Sequence, residues 1–259
     1  MKKHFVITIL LTIFLISIIK IRIPSFIENN LYVLDYFQYK DSLIPTKFQK
    51  VYKKNIGIID GPINSNHKEL QHVKIKQKEF VSNTTDADMT HATAVAGLIC
   101  AEDNNIGISG AVNISEIVNA VVLSNSSVKQ DTLAHAIEYC VDENVNVINI
   151  SIEIYQFSEE LIKAIKYAEK ENIKIFMSNG NGGWRKKVKK IDKPKFSNVL
   201  FVGMNSRSGK ESLTNMAYRI PDIYEIGDNL ISLGKEGFDI YSGTSFSCAI
   251  ASSKYLINQ

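Results

Sequence analysis

Three polar side chains of the sequence stand where a protein can use them for chemistry, at the edge of a predicted strand or helix. Asp60 directly follows the apolar run of residues 56–59, and His91 opens a run of small residues that ends at Gly97. Ser245 comes after a glycine turn and enters a predicted helix, whose free N–H groups and positive partial charge help to hold a nucleophile and an oxyanion. Taken singly, an aspartate at such a position is more typical of a turn, and a histidine of polar surface.

The elements that must position these residues alternate along the chain from residue 55 onward. The predicted strands are residues 56–59, 117–123, 145–152, 173–177 and 199–202, and the predicted helices are residues 91–101, 132–144 and 159–171. The strands are continuous runs of Val and Ile, as expected when helices cover both faces of a parallel sheet. The alternation predicts an α/β fold of three layers, α/β/α, with a mostly parallel central sheet. Functional groups gather at the carboxyl ends of strands in such a sheet.

Composition limits the classes of protein that fit. The chain has 259 residues, of which 45% are hydrophobic and 22% charged, so one domain, or at most two, can bury a sizeable core. The net charge of +3 gives no electrostatic reason to expect a nucleic-acid partner. The three cysteines are too few for a disulfide framework, and core packing must therefore supply the stability.

The N-terminus is apolar enough to interact with a membrane. Residues 5–19 carry no charge, and the run reaches 19 residues if it continues past Lys20 and Arg22 to Ile23. A helix of that length spans about 28 Å, close to the thickness of a bilayer core. We expect an uncleaved anchor over residues 1–23. A cleaved signal peptide is the alternative, and a buried helix is a third interpretation.

The segments around the three candidates resemble the subtilisin-like serine proteases, the subtilases of peptidase family S8. Residues 60–70 resemble the Asp block of that family, residues 91–97 the His block and residues 243–247 the Ser block, and Asn181 resembles the oxyanion asparagine. The order Asp, His, Ser is the one that subtilisin itself has. The resemblance covers about residues 55–256 and implies a subtilisin-like peptidase domain over residues 55–259, joined to the anchor by residues 24–54.

The resemblance implies a serine endopeptidase with a defined role for each candidate. Ser245 would attack the peptide carbonyl, His91 would accept the proton of its hydroxyl, and Asp60 would hold the imidazole in the right tautomer. The side chain of Asn181 and the N–H of Ser245 would donate to the oxyanion. A small-molecule hydrolase of the Gly-x-Ser-x-Gly type is excluded, because its serine precedes its acid and its histidine.

The same resemblance predicts the residues that bind substrate, an extended peptide or unfolded protein segment. Asn149, Ser151 and Ile152 would line the cleft together with Gly180. Glu153 stands where the family usually has a glycine. An acid at that position would favour Lys or Arg in the substrate through charge pairing. The alternative is a solvated glutamate at a strand end.

Several departures from the family keep a second function open. Ala92 and Ala249 replace a usual glycine and proline, and the chain ends 14 residues beyond Ser245. Residues 24–54 are too few for the chaperone prodomain of most secreted subtilases. These features favour either a small leader-peptide-processing subtilase or a pseudoprotease that binds peptides or acts as an immunity module.

Cofactors and location follow from the resemblance as well. No cofactor is required for the chemistry, and no Cys/His spacing indicates zinc. Glu69 and residues 102–107 resemble positions that hold a structural calcium in many subtilases. We expect a single-pass protein of the cell membrane with its catalytic domain outside the cytoplasm, or a secreted protein if the N-terminal segment is cleaved.

Overall fold

The computed structural model describes residues 54–104, 107–182, 196–206, 208–212, 215 and 220–259. Its strands are β1 Asn55–Asp60, β2 Lys74–Glu79, β3 Glu116–Val121, β4 Val147–Ile150, β5 Lys174–Ser178, β6 Val199–Asn205, β7 Ile223–Ile226, β8 Leu230–Leu233 and β9 Phe238–Tyr241. Its α-helices are α1 Asp86–Cys100, α2 Gln130–Asp142, α3 Glu159–Lys170 and α4 Thr244–Ile257, and a short 3-10 helix covers Lys68–Leu70.

Seven of the described strands form a parallel sheet in the order β2-β3-β1-β4-β5-β6-β7. β1 lies between β3 and β4, and the chain crosses over β1 when it passes from β3 to β4. The crevice outside the carboxyl end of β1 is therefore the place where this topology is expected to bind ligands. β8 and β9 form a separate antiparallel hairpin.

Helices cover both faces of the sheet. α2 and α3 pack against each other and against one face, whereas α4 contacts β4 to β7 and packs against α1. The layer between the sheet and α2 is tight, because a Cβ on Gly57 of β1 would lie 2.9 Å from the sulfur of Cys140 in α2. The three cysteines are buried and free of disulfides, so apolar packing carries this core. The predicted three-layer α/β/α fold with a parallel central sheet is confirmed.

The strands that the sequence pattern did not predict are either exposed or short. β2 reads KIKQKE and is mostly exposed because it forms one edge of the sheet. β7, β8 and β9 have four residues each.

No helix of the described residues is long and apolar enough to cross a membrane. The predicted anchor over residues 1–23 lies outside the described residues.

Candidate active site

Asp60 ends β1 and is completely buried. Its Oδ1 accepts hydrogen bonds from the N–H of Gly61 at 2.7 Å and from Nδ1 of His91 at 2.8 Å. Its backbone carbonyl accepts from the N–H groups of Val122 and Leu123, which follow the neighbouring strand β3. The carboxylate is thus held by the sheet and aimed at the imidazole.

His91 lies in α1, and here the predicted start of the helix is wrong. The helix was expected to begin at His91 but begins at Asp86, so the imidazole stands at the sixth position. The reason is a capping box, in which the side chains of Thr85 and Asp88 bond each other's backbone N–H. The Thr-x-x-Asp spacing is readable in the sequence and would have placed the helix start correctly.

The electrostatics of His91 favour its charged form. Burial lowers the pKa of the imidazole, but the charge and hydrogen bond of Asp60, with the charge of Asp88, outweigh that effect. The pKa of His91 is therefore raised above its ordinary value of about 6.5. The side chain is 29% exposed, and its ring lies 5.6 Å from the ring of Phe246 in α4. The imidazole can therefore reach both its buried partner and a ligand in the crevice.

Ser245 is the second residue of α4 and is 7% exposed. Its hydroxyl donates to the backbone carbonyl of Ser151 at 2.9 Å, and the hydroxyl of Ser151 donates back to the carbonyl of Ser245 at 2.8 Å. The reciprocal pair fixes the helix start to the chain that leaves β4. In this rotamer the hydroxyl of Ser245 is bonded to Ser151 rather than to His91. A transfer of this proton to His91 would therefore require the hydroxyl to give up its bond to the carbonyl of Ser151.

Asn181 stands in the loop after β5, where Gly180 has a φ of +96° that glycine adopts without strain. The Oδ1 of Asn181 accepts from the N–H of Thr244 at 2.9 Å and from its hydroxyl at 3.2 Å. The hydroxyl of Thr244 also bonds the hydroxyl of Ser178 and accepts from the N–H of Gly180. The side-chain oxygen of Asn181 is thus occupied, and its Nδ2 lies beside Gly243, 3.4 Å from where a Cβ would stand there. A donor is therefore presented at the turn before Ser245.

The predicted substrate-binding residues differ in which polar groups remain available to bind a peptide. Asn149 is completely buried, and its side chain bonds the hydroxyls of Ser151 and Ser252. β4 pairs with strands on both sides up to Ile150, so no backbone edge remains there for a peptide. An extended substrate can therefore reach backbone groups only beyond Ile150.

The chain beyond β4 carries the predicted specificity residue. Ile152 is 8% exposed, and Glu153 is half-buried. The Oε1 atom of Glu153 is buried and has no hydrogen-bond partner in the described part of the chain. A buried carboxylate oxygen without a partner is costly, and a cation is its natural complement.

Three residues of the predicted calcium site, Glu69, Glu102 and Asn104, interact with one another in the structure. Burial and the neighbouring charge of Glu102 raise the pKa of Glu69, and a hydrogen bond from Asn104 opposes them. Two carboxylates and one amide oxygen are suitable calcium ligands. Within the described ranges, however, no three His, Cys, Asp or Glu side chains come together in a way that would hold a metal ion. Residues 105 and 106 of the loop lie outside those ranges, and the calcium site stays a prediction.

Two residues of the site were not singled out from the sequence. Thr244 joins the loop after β5 to α4, and Ser252 supports Asn149 from one face of the same helix. Thr244 precedes Ser245 directly, which is the only local signal of its role. The partner of Ser252 is 103 residues away, and no local pattern reports such a contact.

The chain is similar to known serine proteases. The model of the subtilase family, peptidase S8, matches residues 53–256. Among curated proteins, the chain is similar to the major intracellular serine protease of Bacillus subtilis (strain 168), with 24% identity over 244 residues that cover 87% of this chain and 76% of that protein. It spans 38% of a thermophilic serine proteinase from Bacillus sp. (strain AK1) and 60% of subtilisin DY from Bacillus licheniformis.

Solved structures show the same fold. The prenylagaramide maturation protease PagA superposes with a TM-score of 0.62 at 23% identity, over 77% of this chain and 73% of that one. Sphericase superposes with a TM-score of 0.66 at 20% identity, over 84% and 81% of the two chains. At this level of identity the likeness establishes the arrangement of helices and strands.

Proposed function

Because the chain belongs to the subtilase family of serine endopeptidases, we propose that Asp60, His91 and Ser245 are its catalytic triad and that Asn181 completes its oxyanion hole. The observation that carries the proposal is the 2.8 Å hydrogen bond between His91 Nδ1 and the buried Asp60, beside a serine at a helix N-terminus. These are the groups that acyl transfer needs, and the bond between the acid and the base is already made.

The chemistry follows from the positions of the four residues. The hydroxyl of Ser245 leaves the carbonyl of Ser151, gives its proton to His91 and attacks the peptide carbonyl. Asp60 stabilises the imidazolium that forms, as its effect on the pKa of His91 indicates. The N–H of Ser245, in the first turn of α4, and the Nδ2 of Asn181 donate to the oxyanion. His91 then protonates the leaving amine as the C–N bond breaks and the acyl ester of Ser245 forms. Water gives a proton to His91 and attacks this ester, and the ester bond breaks as His91 returns the proton to the oxygen of Ser245.

Labelling with a fluorophosphonate tests the triad directly, because the probe reacts only with a serine that a base activates. We expect the full-length chain to label and both Ser245→Ala and His91→Ala to lose the label. Ser242→Ala is the matched control, since Ser242 is an exposed serine three residues before the nucleophile. A folded native chain that does not label would contradict the triad and leave a peptide-binding pseudoprotease.

The proposed substrate is a peptide or an unfolded segment of a secreted peptide precursor. The support is the fold that the chain shares with PagA, a prenylagaramide maturation protease. We expect the purified chain to cut an extended peptide faster than a folded protein of equal length, which mass spectrometry of the products can measure. Equal cleavage of both would contradict a processing role.

Glu153 is proposed to bind a basic side chain of the substrate. It follows Ser151, whose backbone carbonyl accepts from the hydroxyl of Ser245, by two residues, and the chain bends at Ile152 between them. The unpartnered Oε1 supports the proposal, because a Lys or Arg side chain would supply the missing bond.

The test compares two peptides that differ only in Lys or Leu before the cleaved bond. We expect Glu153→Gln to lower the ratio of kcat/KM for the Lys peptide over the Leu peptide about tenfold or more, the size of one charged hydrogen bond. Glu236→Gln, an exposed glutamate, is the control that should leave the ratio unchanged. Equal losses on both peptides would assign Glu153 a structural role.

Residues 1–23 are proposed to anchor the protein in the cell membrane with the peptidase domain outside. Support comes from the uncharged run and its length alone. We expect the full-length chain to stay in the membrane pellet after an alkaline carbonate wash, and a chain that begins at residue 24 to be released. Digestion of the domain by external protease on intact spheroplasts tests the orientation. Recovery of a shortened native chain in the medium would instead show cleavage and secretion.

A further inference from the structure

Asp88 is a buried carboxylate that the proposed reaction does not use. It lies in the first turn of α1, three residues before His91, and is 1% exposed. Residues three apart on a helix are neighbours on its surface. Burial of a charge is expensive unless hydrogen bonds compensate it, so the contacts of Asp88 indicate what it does.

The two oxygens of this carboxylate bind different parts of the chain. Oδ2 accepts from the N–H of Thr85 at 2.9 Å and from its hydroxyl at 2.8 Å, which closes the start of α1. Oδ1 accepts from the N–H of Ser126 at 2.9 Å, 38 residues away, and the N–H of Asn125 is a further donor. Burial raises the pKa of Asp88, but these bonds outweigh it and lower the pKa below the ordinary value, so the group is charged.

The distant partner of Asp88 is a turn in an unfavourable conformation. Ser124 and Ser127 exchange two backbone hydrogen bonds, of 3.0 and 3.1 Å, across the pair between them. That pair, Asn125 and Ser126, has φ values of +51° and +57°, a region where a side chain is strained. Such a turn persists only when contacts with its surroundings stabilise it, and the carboxylate of Asp88 supplies such contacts.

We propose that Asp88 is a positioning residue that sets the place of His91 beside Asp60. The turn follows β3 directly, and the N–H of Val122 at the end of this strand donates to the carbonyl of Asp60 at 2.8 Å. Asp88 therefore ties the helix that carries the imidazole to the pair of strands that carries its carboxylate partner. This inference rests on the proposed roles of Asp60 and His91.

The charges around the imidazole agree with such a role. Burial lowers the pKa of His91, whereas Asp60 and then Asp88 raise it. On α1 itself, the other titratable groups are Asp86 and Cys100. On the described elements that pack against α1, they are Asp60 on β1, Lys68 and Glu69 on the 3-10 helix, and Cys248, Lys254 and Tyr255 on α4, while β8 has none. Among these groups and Asp88 itself, only Asp60 and Asp88 change the pKa of His91.

The pH dependence of fluorophosphonate labelling tests the proposal in the full-length chain. Labelling needs neutral His91, so its acid limb reports the pKa of the imidazole. We expect Asp88→Asn to move this limb to lower pH, by less than Asp60→Asn does, and to lower the plateau rate about tenfold through misplacement of the base. Asp86→Asn is the matched control, because Asp86 lies in the same helical turn but is exposed and paired with Lys235.

Two further measurements keep the test decisive. NMR titration of His91 in Ser245→Ala protein reads the pKa without any activity, so it still decides on Asp88 if the native chain does not label and the proposed function fails. If Asp88→Asn alone does not fold, it is made together with Ser126→Gly, because glycine adopts positive φ without cost. A His91 titration and an acid limb that match those of Asp86→Asn would overturn the proposal.

Discussion

The two halves of the proposed catalytic site are built in different ways. The proposed acid–base half joins Asp60, at the end of the central strand, to His91 in the middle of a helix, and the bond between them is already made at 2.8 Å. The proposed nucleophile half sits at a helix start, and the hydroxyl of Ser245 is bonded to the carbonyl of Ser151. The first half thus has its side-chain bond in place, whereas in the second the hydroxyl is bonded away from His91.

Because of this difference, we expect substitutions in the two halves to have different effects. A change in the acid–base half alters a pKa and a buried contact together, so activity, pH dependence and stability should move in concert. A change in the nucleophile half removes a donor or an attacking atom while the core stays intact. Variants that break this pattern would show that the halves are less independent than their contacts indicate.

The largest expected effect joins the two halves. Ser245→Ala and His91→Ala should each lower kcat by about 10⁶, the size known for subtilisin itself, and the double variant should be no worse than either. The reason is that base and nucleophile act as one unit in the proton transfer. Steady-state kinetics on one peptide checks this. Losses that multiply in the double variant would contradict the assigned roles.

Asp60→Asn should lower kcat by about 10⁴, because the imidazole loses the partner that fixes its tautomer. The acid limb of the pH profile should also move. The pKa of His91 is raised in the native protein, so activity should appear only above about pH 6.5, and without the Asp60 charge the limb should fall to lower pH. A profile of kcat/KM between pH 5 and 9 measures both changes. An unmoved limb would show that another group titrates.

In the nucleophile half, Asn181→Asp should lower kcat by at least about 10² to 10³, the size of one lost oxyanion donor, and leave KM nearly unchanged. The substitution keeps the oxygen that accepts from Thr244 and replaces the Nδ2 donor with a second carboxylate oxygen, so the loop is preserved while the oxyanion loses a bond and faces a negative charge. Asn181→Ala is the comparison variant, which should lose the loop contact as well. If Asn181→Asp retained full kcat, Asn181 would have no part in the oxyanion hole.

Gly61→Ala should test how rigid the acid–base half is. A Cβ on Gly61 would stand 2.3 Å from the backbone oxygen of Asp88, which cannot move without moving α1. We expect a loss of roughly 1–3 kcal/mol in the free energy of unfolding, measured by urea denaturation, with lower activity. Gly234→Ala is a control for introducing a methyl group, since a Cβ there would lie 3.4 Å or more from its neighbours, an ordinary contact distance, and the φ of Gly234 is not positive. Equal stability of both variants would show that α1 adjusts freely.

The smallest effect concerns stability and pH. The folded-state pKa of His91 is raised, so its pairing with Asp60 stabilises the fold fully below about pH 6.5, and this contribution is lost as pH rises through the folded pKa. The melting temperature of Ser245→Ala protein should therefore fall slightly as the pH rises from about 6.5 through the folded-state pKa of His91. In Asp60→Asn protein the melting temperature should change less over the same pH range. A rise in both would contradict the sign of the shift.

Much of the fold was predictable because its elements are long and strongly patterned. The central strands are apolar runs buried on both faces, and β1 was predicted to within one residue at each end. β2 was not, because an edge strand of alternating lysines has no apolar run to detect. The start of α1 was placed five residues late, because the small residues after His91 carry the packing while the capping box lies upstream.

The sequence by itself determined the candidates for the reacting groups, since an aspartate, a histidine and a serine in that order within matching blocks need no coordinates to be proposed. The tertiary structure decided how they are held. Three hydrogen bonds do so: His91 to Asp60, the hydroxyl of Ser245 to the carbonyl of Ser151, and the N–H of Ser126 to the carboxylate of Asp88. The physical reason is distance along the chain. These contacts join residues 31, 94 and 38 positions apart, and only a packed sheet brings such partners within a hydrogen bond of each other.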